Sequence, residues 1–251
     1  MKIIFITGTS RGIGEQLAMQ LLQPGNSLHC ISRTGNSRLT EAARQRGCML
    51  TNHQHNLSDV HGLQQLADGL FAEAAATDHL TALYLINNAG QLSPVLPIAD
   101  ATVDDITHNI AVNLLAPMVL TSAFIRHAGK LAVDKRILNI SSASAKYVLP
   151  SQSCYSAAKS GVDTFSRSMA QEQAGQTHPV KVASVYPGMI DTQMQAEIRA
   201  ASSEQFPYVD QFIELARQGQ LQTAEATAER LIRLLYSEPF GSEPVVEQLA
   251  I

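Results

Sequence analysis

The sequence predicts one α/β domain, a doubly wound parallel sheet with helices on both faces, and three observations predict it. Short runs of strand length recur at residues 3–7, 28–32, 82–86, 135–141 and 180–185, with a more polar one at 49–54. Most are continuously apolar rather than alternating, as strands covered on both faces are. Helix-period segments separate the runs, so strand and helix alternate as they do when crossover helices wind a sheet. A glycine-rich turn directly follows the first run and opens a helix, which is where such sheets hold nucleotide phosphates. No repeat, low-complexity tract or linker divides the 251 residues, so a single domain over 1–251 is expected.

Composition narrows the classes of function. Hydrophobic residues make up 45% of the chain and glycines number 15, values that exclude a disordered or collagen-like protein. The formal net charge is −4 and no Lys/Arg run exceeds two residues, which speaks against a nucleic-acid or anionic-membrane surface. Charged residues are only 16%, leaving room for a subunit interface. Cys30, Cys48 and Cys154 lack metal-ligand spacing and cannot all pair, so a reduced, cytoplasmic protein is expected. The apolar start ends at Thr7-Gly8, too soon for a signal sequence. No run approaches the ~18 apolar residues of a membrane span, so the protein is expected to be soluble.

The elements follow in order. After the strand at 3–7 comes Gly8-Thr9-Ser10-Arg11-Gly12-Ile13-Gly14, then a helix marked by Leu17, Leu21 and Leu22 and stopped by Pro24-Gly25. Backbone amides of the turn and helix start form an anion site suited to pyrophosphate. The strand at 28–32 ends in Ser32-Arg33-Thr34, where a dinucleotide fold reaches the adenosine ribose. An acid there would hold the 2′-hydroxyl of NAD, but none occurs before Glu41. Arg33, helped by Arg11, suits a 2′-phosphate, so NADP(H) is the expected cofactor. A short helix at 38–47, the strand at 49–54 and a helix capped by Ser58 or Asp59 and running to residue 76 come next. His53, His55 and His61 spread over strand, loop and helix start with no Cys or acid at ligand spacing, so no metal is expected.

The strand at 82–86 ends in Asn87-Asn88-Ala89-Gly90, whose amides either tie neighbouring strands together or line the cofactor cleft. A proline-punctuated loop at 91–100 leads to a helix of about ten residues, capped by Thr102 three before Asp105. A long helix then runs to about residue 130, with Pro117 in its first turn. Asn113 sits in the apolar stretch 110–120 and, as a buried amide, is either a structural tie or a relay. Beyond the strand at 180–185 lies Tyr186-Pro187-Gly188-Met189-Ile190-Asp191-Thr192. Residues 193–220 read as two short helices outside the core, a candidate lid over a substrate. A last helix at 223–236 and the apolar Val245-Val246 and Leu249, an edge strand, complete the chain.

The chemistry centres on residues 142–159. Tyr155 and Lys159 stand four apart, so on a helix they share a face. A phenol titrates near ~10 and is a sluggish acid, but a fixed ammonium beside it favours the phenolate and brings it toward working pH. Ser142 follows the apolar run 137–140 and so lies at the carboxyl end of a strand, where open parallel sheets put ligands. Its hydroxyl would hold a substrate carbonyl while the tyrosine protonates it.

With these residues placed, the chain resembles the short-chain dehydrogenase/reductase family along almost its whole length. Residues 7–14 match the family's TGxxxGxG, Asn87-Asn88-Ala89-Gly90 its NNAG, and Tyr155 with Lys159 its YxxxK. Ser142 falls thirteen before the tyrosine, the family's usual interval, and Asn113 falls at its relay asparagine. Pro187-Gly188 and Thr192, with Ile190 between, match the segment that binds the nicotinamide carboxamide, and Asn56-Leu57 fall at the adenine contact, where many members have Asp. Residues 187–195 and 212–221 resemble the sepiapterin reductase and benzil reductase branch. The resemblance implies a Rossmann-like fold, with Tyr155 as general acid and Ser142 orienting the carbonyl. It also implies that Lys159 lowers the phenol's pKa and holds the ribose, and that Asn113 holds a proton-relay water.

Two classes of function follow. One is an NADPH-dependent reductase of a small-molecule ketone or diketone, its pocket lined by Tyr147, Val148, Met189, Met194, Phe206 and Tyr208. The other is a non-catalytic NADP(H)-binding sensor, disfavoured because Ser142, Tyr155 and Lys159 are all present. Within enzymes, an acyl-carrier or steroid reductase is the rival, with Arg126, Lys130, Lys135 and Arg136 as a weak basic patch. The resemblance also implies a homodimer or homotetramer built on the helices at 113–130 and 152–175.

Overall fold

Ile3 and Phe5 pack to one side of the first strand, and Ile4 and Ile6 to the other, all essentially buried. Successive side chains leave a strand on opposite faces, so an unbroken apolar run must be covered twice. The computed structural model describes residues 1–249; residues 250 and 251 of the expected 1–251 domain lie outside the described residues.

The elements are β1 (Lys2–Thr7), α1 (Gly12–Leu21), β2 (Asn26–Ser32), α2 (Ser37–Arg46), β3 (Met49–Gln54), α3 (Val60–Ala75) and β4 (Ala82–Asn87). Then come α4 (Val103–Ile110), α5 (Ala116–Ala128), β5 (Asp134–Ile140), α6 (Ser153–Gln173) and β6 (Lys181–Val185). The chain closes with α7 (Gln193–Arg199), α8 (Val209–Arg217), α9 (Ala224–Tyr236) and β7 (Val245–Val246). The seven strands form one parallel sheet in the order β3-β2-β1-β4-β5-β6-β7. The winding reverses between β1 and β4, which opens a crevice at their carboxyl ends. The doubly wound α/β fold is as expected, and the elements end within a residue or two of the predicted bounds.

Each helix layer has its own core. Leu17 and Leu21 of α1 and Leu231 and Leu235 of α9 meet Ile4 and Ile6. On the other face Phe71 of α3 packs edge-on to Phe5, with centroids 4.7 Å apart, and to Phe124 of α5 at 5.4 Å. Local chemistry sets the helix starts. Asn36 accepts from the Leu39 N–H, Asp59 from Gly62 and Thr223 from Ala226, while Thr102 and Asp105 form a reciprocal capping box.

One expectation changes. The helix at Thr102 and the next one are continuous, joined by a π-helical turn at Ala111–Leu115. The result is 26 residues, Val103–Ala128, with a mean hydropathy of 1.4 over its most apolar stretch, long and apolar enough to cross a bilayer. More than half of that stretch (56%) is buried inside the domain, which marks a core helix. Among the described residues no three His, Cys, Asp or Glu side chains cluster as metal ligands.

Candidate active site

The glycine turn is shaped by its own backbone. Gly8 and Gly12 have φ of 74° and 61°, the left-handed region that side chains disfavour. A Cβ on Gly14 would collide with the Gly8 carbonyl and with Asn88 Nδ2, so only glycine lets the helix start this close to β1. Asn88 Nδ2 donates to the Thr7 carbonyl at 2.9 Å, and the Asn88 and Ala89 N–H groups donate to Thr7 Oγ1, each at 3.0 Å. The Asn87-Asn88-Ala89-Gly90 run thus ties β4 to β1. Arg11, at the start of α1, gives no side-chain cap, so the first-turn N–H groups stay open for an anion. That open cradle fits the pyrophosphate of a dinucleotide.

Ser10, Arg11 and Arg33 are exposed around this turn, and neither arginine forms an ion pair among the described residues. Asn56 is exposed beyond β3 and accepts from the Ser58 N–H at 3.3 Å, while Leu57 is buried. On the far side, a Cβ on Gly12 would lie 3.7 Å from Thr192, so the turn faces the segment after β6. There Pro187 is buried and Gly188 turns the chain with φ of 96°. Ile190 pairs in parallel with Gln222, which exchanges backbone bonds of 2.9 Å with Met189 and Asp191. Sequence reasoning missed Gln222; its partner lies over thirty residues away and no local pattern marks it.

The polar centre lies at the ends of β4 and β5. Ser142 directly follows Ser141 past β5, and its Oγ accepts from the Ser144 N–H at 3.1 Å. Tyr155 and Lys159 share the inner face of α6 and are 7% and 4% exposed. Lys159 Nζ donates to the Ile140 carbonyl at 2.8 Å and lies 5.6 Å from the centre of the Tyr155 ring. Burial pulls the Lys159 ammonium down to about 8, while Asp163 pulls it back up.

The phenol departs from expectation. Burial pushes the Tyr155 pKa up, and the hydrogen-bonding Ser142 side chain pulls against it. The physical reason is its cover: Leu92, Ile198, Phe206 and Val209 pack with Tyr155 in one apolar cluster, and three of them come from α7, α8 and the loop between. The two short helices expected at 193–220 therefore lie over the tyrosine. Of the apolar residues expected to line a pocket, Phe206 is fully buried in this cluster, whereas Tyr147, Val148, Met189 and Tyr208 are exposed.

Asn113 is fully buried in the π turn. Its Nδ2 donates to the Gln91 carbonyl at 2.8 Å and to Asn109 Oδ1 at 3.0 Å, and its Oδ1 accepts from the Gln91 N–H at 3.1 Å. The side chain is thus a tie for the loop after β4. Pro117 has no N–H to offer, so the Asn113 carbonyl lacks its i+4 helix partner. A Cβ on Gly90 would lie 3.1 Å from Asn113 Oδ1 and 3.5 Å from Lys159 Nζ, so glycine leaves open the space between them.

The basic patch read from the sequence does not form. Arg126 pairs with Asp68 at 2.5 Å, Lys135 is 1% exposed, and Arg136 bonds Asp134 and the carbonyls of Leu235 and Ser237. A carrier-protein surface loses its support.

Comparison with known proteins decides the family. The family model described as short chain dehydrogenase matches residues 2–203. The chain belongs to the short chain dehydrogenase family. As in this family, it is an oxidoreductase that works with a nicotinamide cofactor on CH–OH or C=O groups of small molecules. This short chain dehydrogenase is 38% identical over 246 residues, 98% of both chains, to a benzil reductase ((S)-benzoin forming) of Bacillus cereus. It is 30% identical over 253 residues, 96% of this chain and 93% of the other, to a sepiapterin reductase of Meriones unguiculatus. The crystal structure of the KRED1-Pglu enzyme superposes with a TM-score of 0.81 at 22% identity, covering 98% of this chain and 100% of that one, a likeness of fold.

Proposed function

We propose that this chain is an NADPH-dependent carbonyl reductase acting on a ketone or diketone of the benzil or sepiapterin kind. The observation that carries the reading is the convergence of Ser142, Tyr155, Lys159 and Asn113 beside the glycine turn. The relatives named as benzil reductases support the substrate class. Gly8, Ser10, Gly12, Ile13 and Gly14 would hold the cofactor's pyrophosphate, and Arg11 and Arg33 its 2′-phosphate. Asn56 and Leu57 would meet the adenine, Asn88, Ala89 and Gly90 the middle of the molecule, and Pro187, Gly188, Ile190 and Thr192 the nicotinamide amide. NADPH supplies the hydride when bound.

The chain's own groups do the rest. Ser142 Oγ orients the substrate oxygen, and Tyr155 OH gives it a proton. A phenol held up by burial stays protonated at neutral pH, as a general acid must. The Lys159 ammonium favours the phenolate left behind, and Asn113 would hold a water that links Lys159 to solvent for proton resupply. The α7–α8 segment excludes bulk water as a lid. The same reading puts the enzyme in the cytoplasm as a homodimer or homotetramer, away from membrane and nucleic acid. Exposed Val103, Ile106, Leu115 and Met118 on the long helix support the subunit contact.

The test is a side-by-side assay of NADPH and NADH with benzil, sepiapterin and simple ketones. NADPH oxidation by a diketone, with Arg33→Ala raising the KM for NADPH about tenfold or more and leaving that for NADH in place, is the expected result. Tight NADPH binding with no turnover across the panel would point to a sensor instead.

A further inference from the structure

Asp163 lies one helical turn beyond Lys159 on α6 and is only 3% exposed. A carboxylate taken out of water needs donors or a cation to meet it. Two hydroxyls do so: Ser184 Oγ donates to Oδ1 and Tyr186 OH to Oδ2, each at 2.6 Å. Ser184 is in β6 and Tyr186 directly follows it, so the bonds fasten α6 to the strand that leads into Pro187-Gly188. The pair cannot slide without breaking two short charge-assisted bonds. Tyr155 and Lys159 are on the same helix, so Asp163 sets their register against the segment opposite the glycine turn.

The carboxylate has a second neighbour on its own helix. Residues four apart bring their Cβ atoms within about 6 Å, so Asp163 is the acid of α6 that stands one turn from the buried Lys159. The other groups near that ammonium are neutral: the Tyr155 phenol on α6, Asn113 from the π turn and the Ile140 carbonyl of β5. Charged groups on the surrounding elements are engaged or turned to solvent. Asp105 of α4 is in its capping box, and Asp104 and His108 reach the surface. Glu247 after β7 pairs with Lys146, Lys181 opens β6 at its opposite end, and Arg167 is exposed. Asp163 works against burial on Lys159, favouring its charged form.

We propose that Asp163 is a positioning residue of this site, locking the end of β6 onto α6 and supplying a negative charge one helical turn from Lys159. Its benefit to catalysis rests on the carbonyl-reductase reading, but its test does not. In protein labelled with ¹³C at lysine Cε, the Lys159 signal, assigned by its absence from Lys159→Arg, is titrated by NMR. The wild-type midpoint is expected at about 8. Asp163→Asn keeps the shape, removes the charge and lowers the midpoint by about one pH unit or more. Asp163→Glu returns it most of the way. Tyr186→Phe keeps the charge, leaves the midpoint in place and weakens NADPH binding, read by fluorescence, about tenfold.

An Asn variant that titrates like wild type overturns the charge role, and a Tyr186→Phe variant with unchanged NADPH affinity overturns the lock. Should Asp163→Asn not fold, Asp163→Ser serves the same comparison; loss of fold in both would make Asp163 purely structural and end the proposal. Wild-type turnover on the carbonyl panel is scored separately, so a failed activity reading leaves the lysine titration decisive.

Discussion

Tyr155 is a weak acid that burial makes weaker, with Ser142 pulling the other way, so its proton is in place at neutral pH. Replacing it by Phe removes the donor but keeps the ring that packs against Leu92, Ile198 and Phe206. Tyr155→Phe is therefore expected to lose about 10²–10⁴-fold in kcat while its NADPH affinity stays within about threefold of wild type. Retained turnover in a folded variant would remove Tyr155 from the proposed mechanism. The positions of Ser142, Tyr155 and Lys159 were legible because helix geometry and the strand end fix them within eighteen residues. The direction of the phenol's pKa was not, because the residues that bury it arrive from α7 and α8, some forty to fifty positions further on. Asp163 was equally silent, since an acid mid-helix reads as a surface residue until Ser184 and Tyr186 are folded against it.

At the scale of elements, the sequence marks starts and stops better than junctions. Asp59 and Thr102 announce helix starts through local hydrogen bonding and both cap as expected, while the glycine turn opens its helix with no side-chain cap. The fusion of α4 and α5 through a π turn was hidden, because a buried Asn and a Pro four residues on look like a break rather than a bulge. The β2–β3 pair holds a further consequence. His29 Nδ1 and His53 Nε2 lie 3.1 Å apart with rings stacked at 5.2 Å, so one donates and the other accepts as long as at least one ring stays neutral. Burial, and then the His53 charge, lowers the His29 pKa from 6.5 to about 4. The unfolded chain thus binds the proton first, and the stability is present above about 6.5 and lost as pH falls toward 4. Because His29 is partly solvated, its share is about 1–2 kcal/mol after screening. Urea unfolding at pH 7.5 and 4.5 checks it: His29→Phe, which cannot titrate, is expected to lose less stability than wild type over that interval. An equal loss would show that the pair does not report on folding.

At the scale of the whole molecule, the α7–α8 cluster stands apart from the two cores that sandwich the sheet, with Phe206 fully buried at its centre and Phe212 edge-on to it at 5.5 Å. A cover held by one small cluster opens at less cost than the sheet unfolds. Phe206→Ala removes about 3–5 kcal/mol of burial from that cover alone. It is expected to speed hydrogen exchange across 193–217 and raise the KM for the carbonyl substrate more than that for NADPH. Protection in β1, β4 and β5 should be unchanged, and a parallel loss there would mean that cover and sheet unfold as one. The sequence by itself determined the alternation of strands and helices, the glycine turn and the Ser142–Tyr155–Lys159 spacing, because each rests on contacts within a turn or two of chain. Only the tertiary structure decided how acidic the phenol is, that the apparent basic patch is dispersed into ion pairs and core, and that Gln222 and Asp163 brace the turn after β6. Burial and charge pairing depend on which distant segments meet, and the sheet order that brings them together is a property of the whole chain.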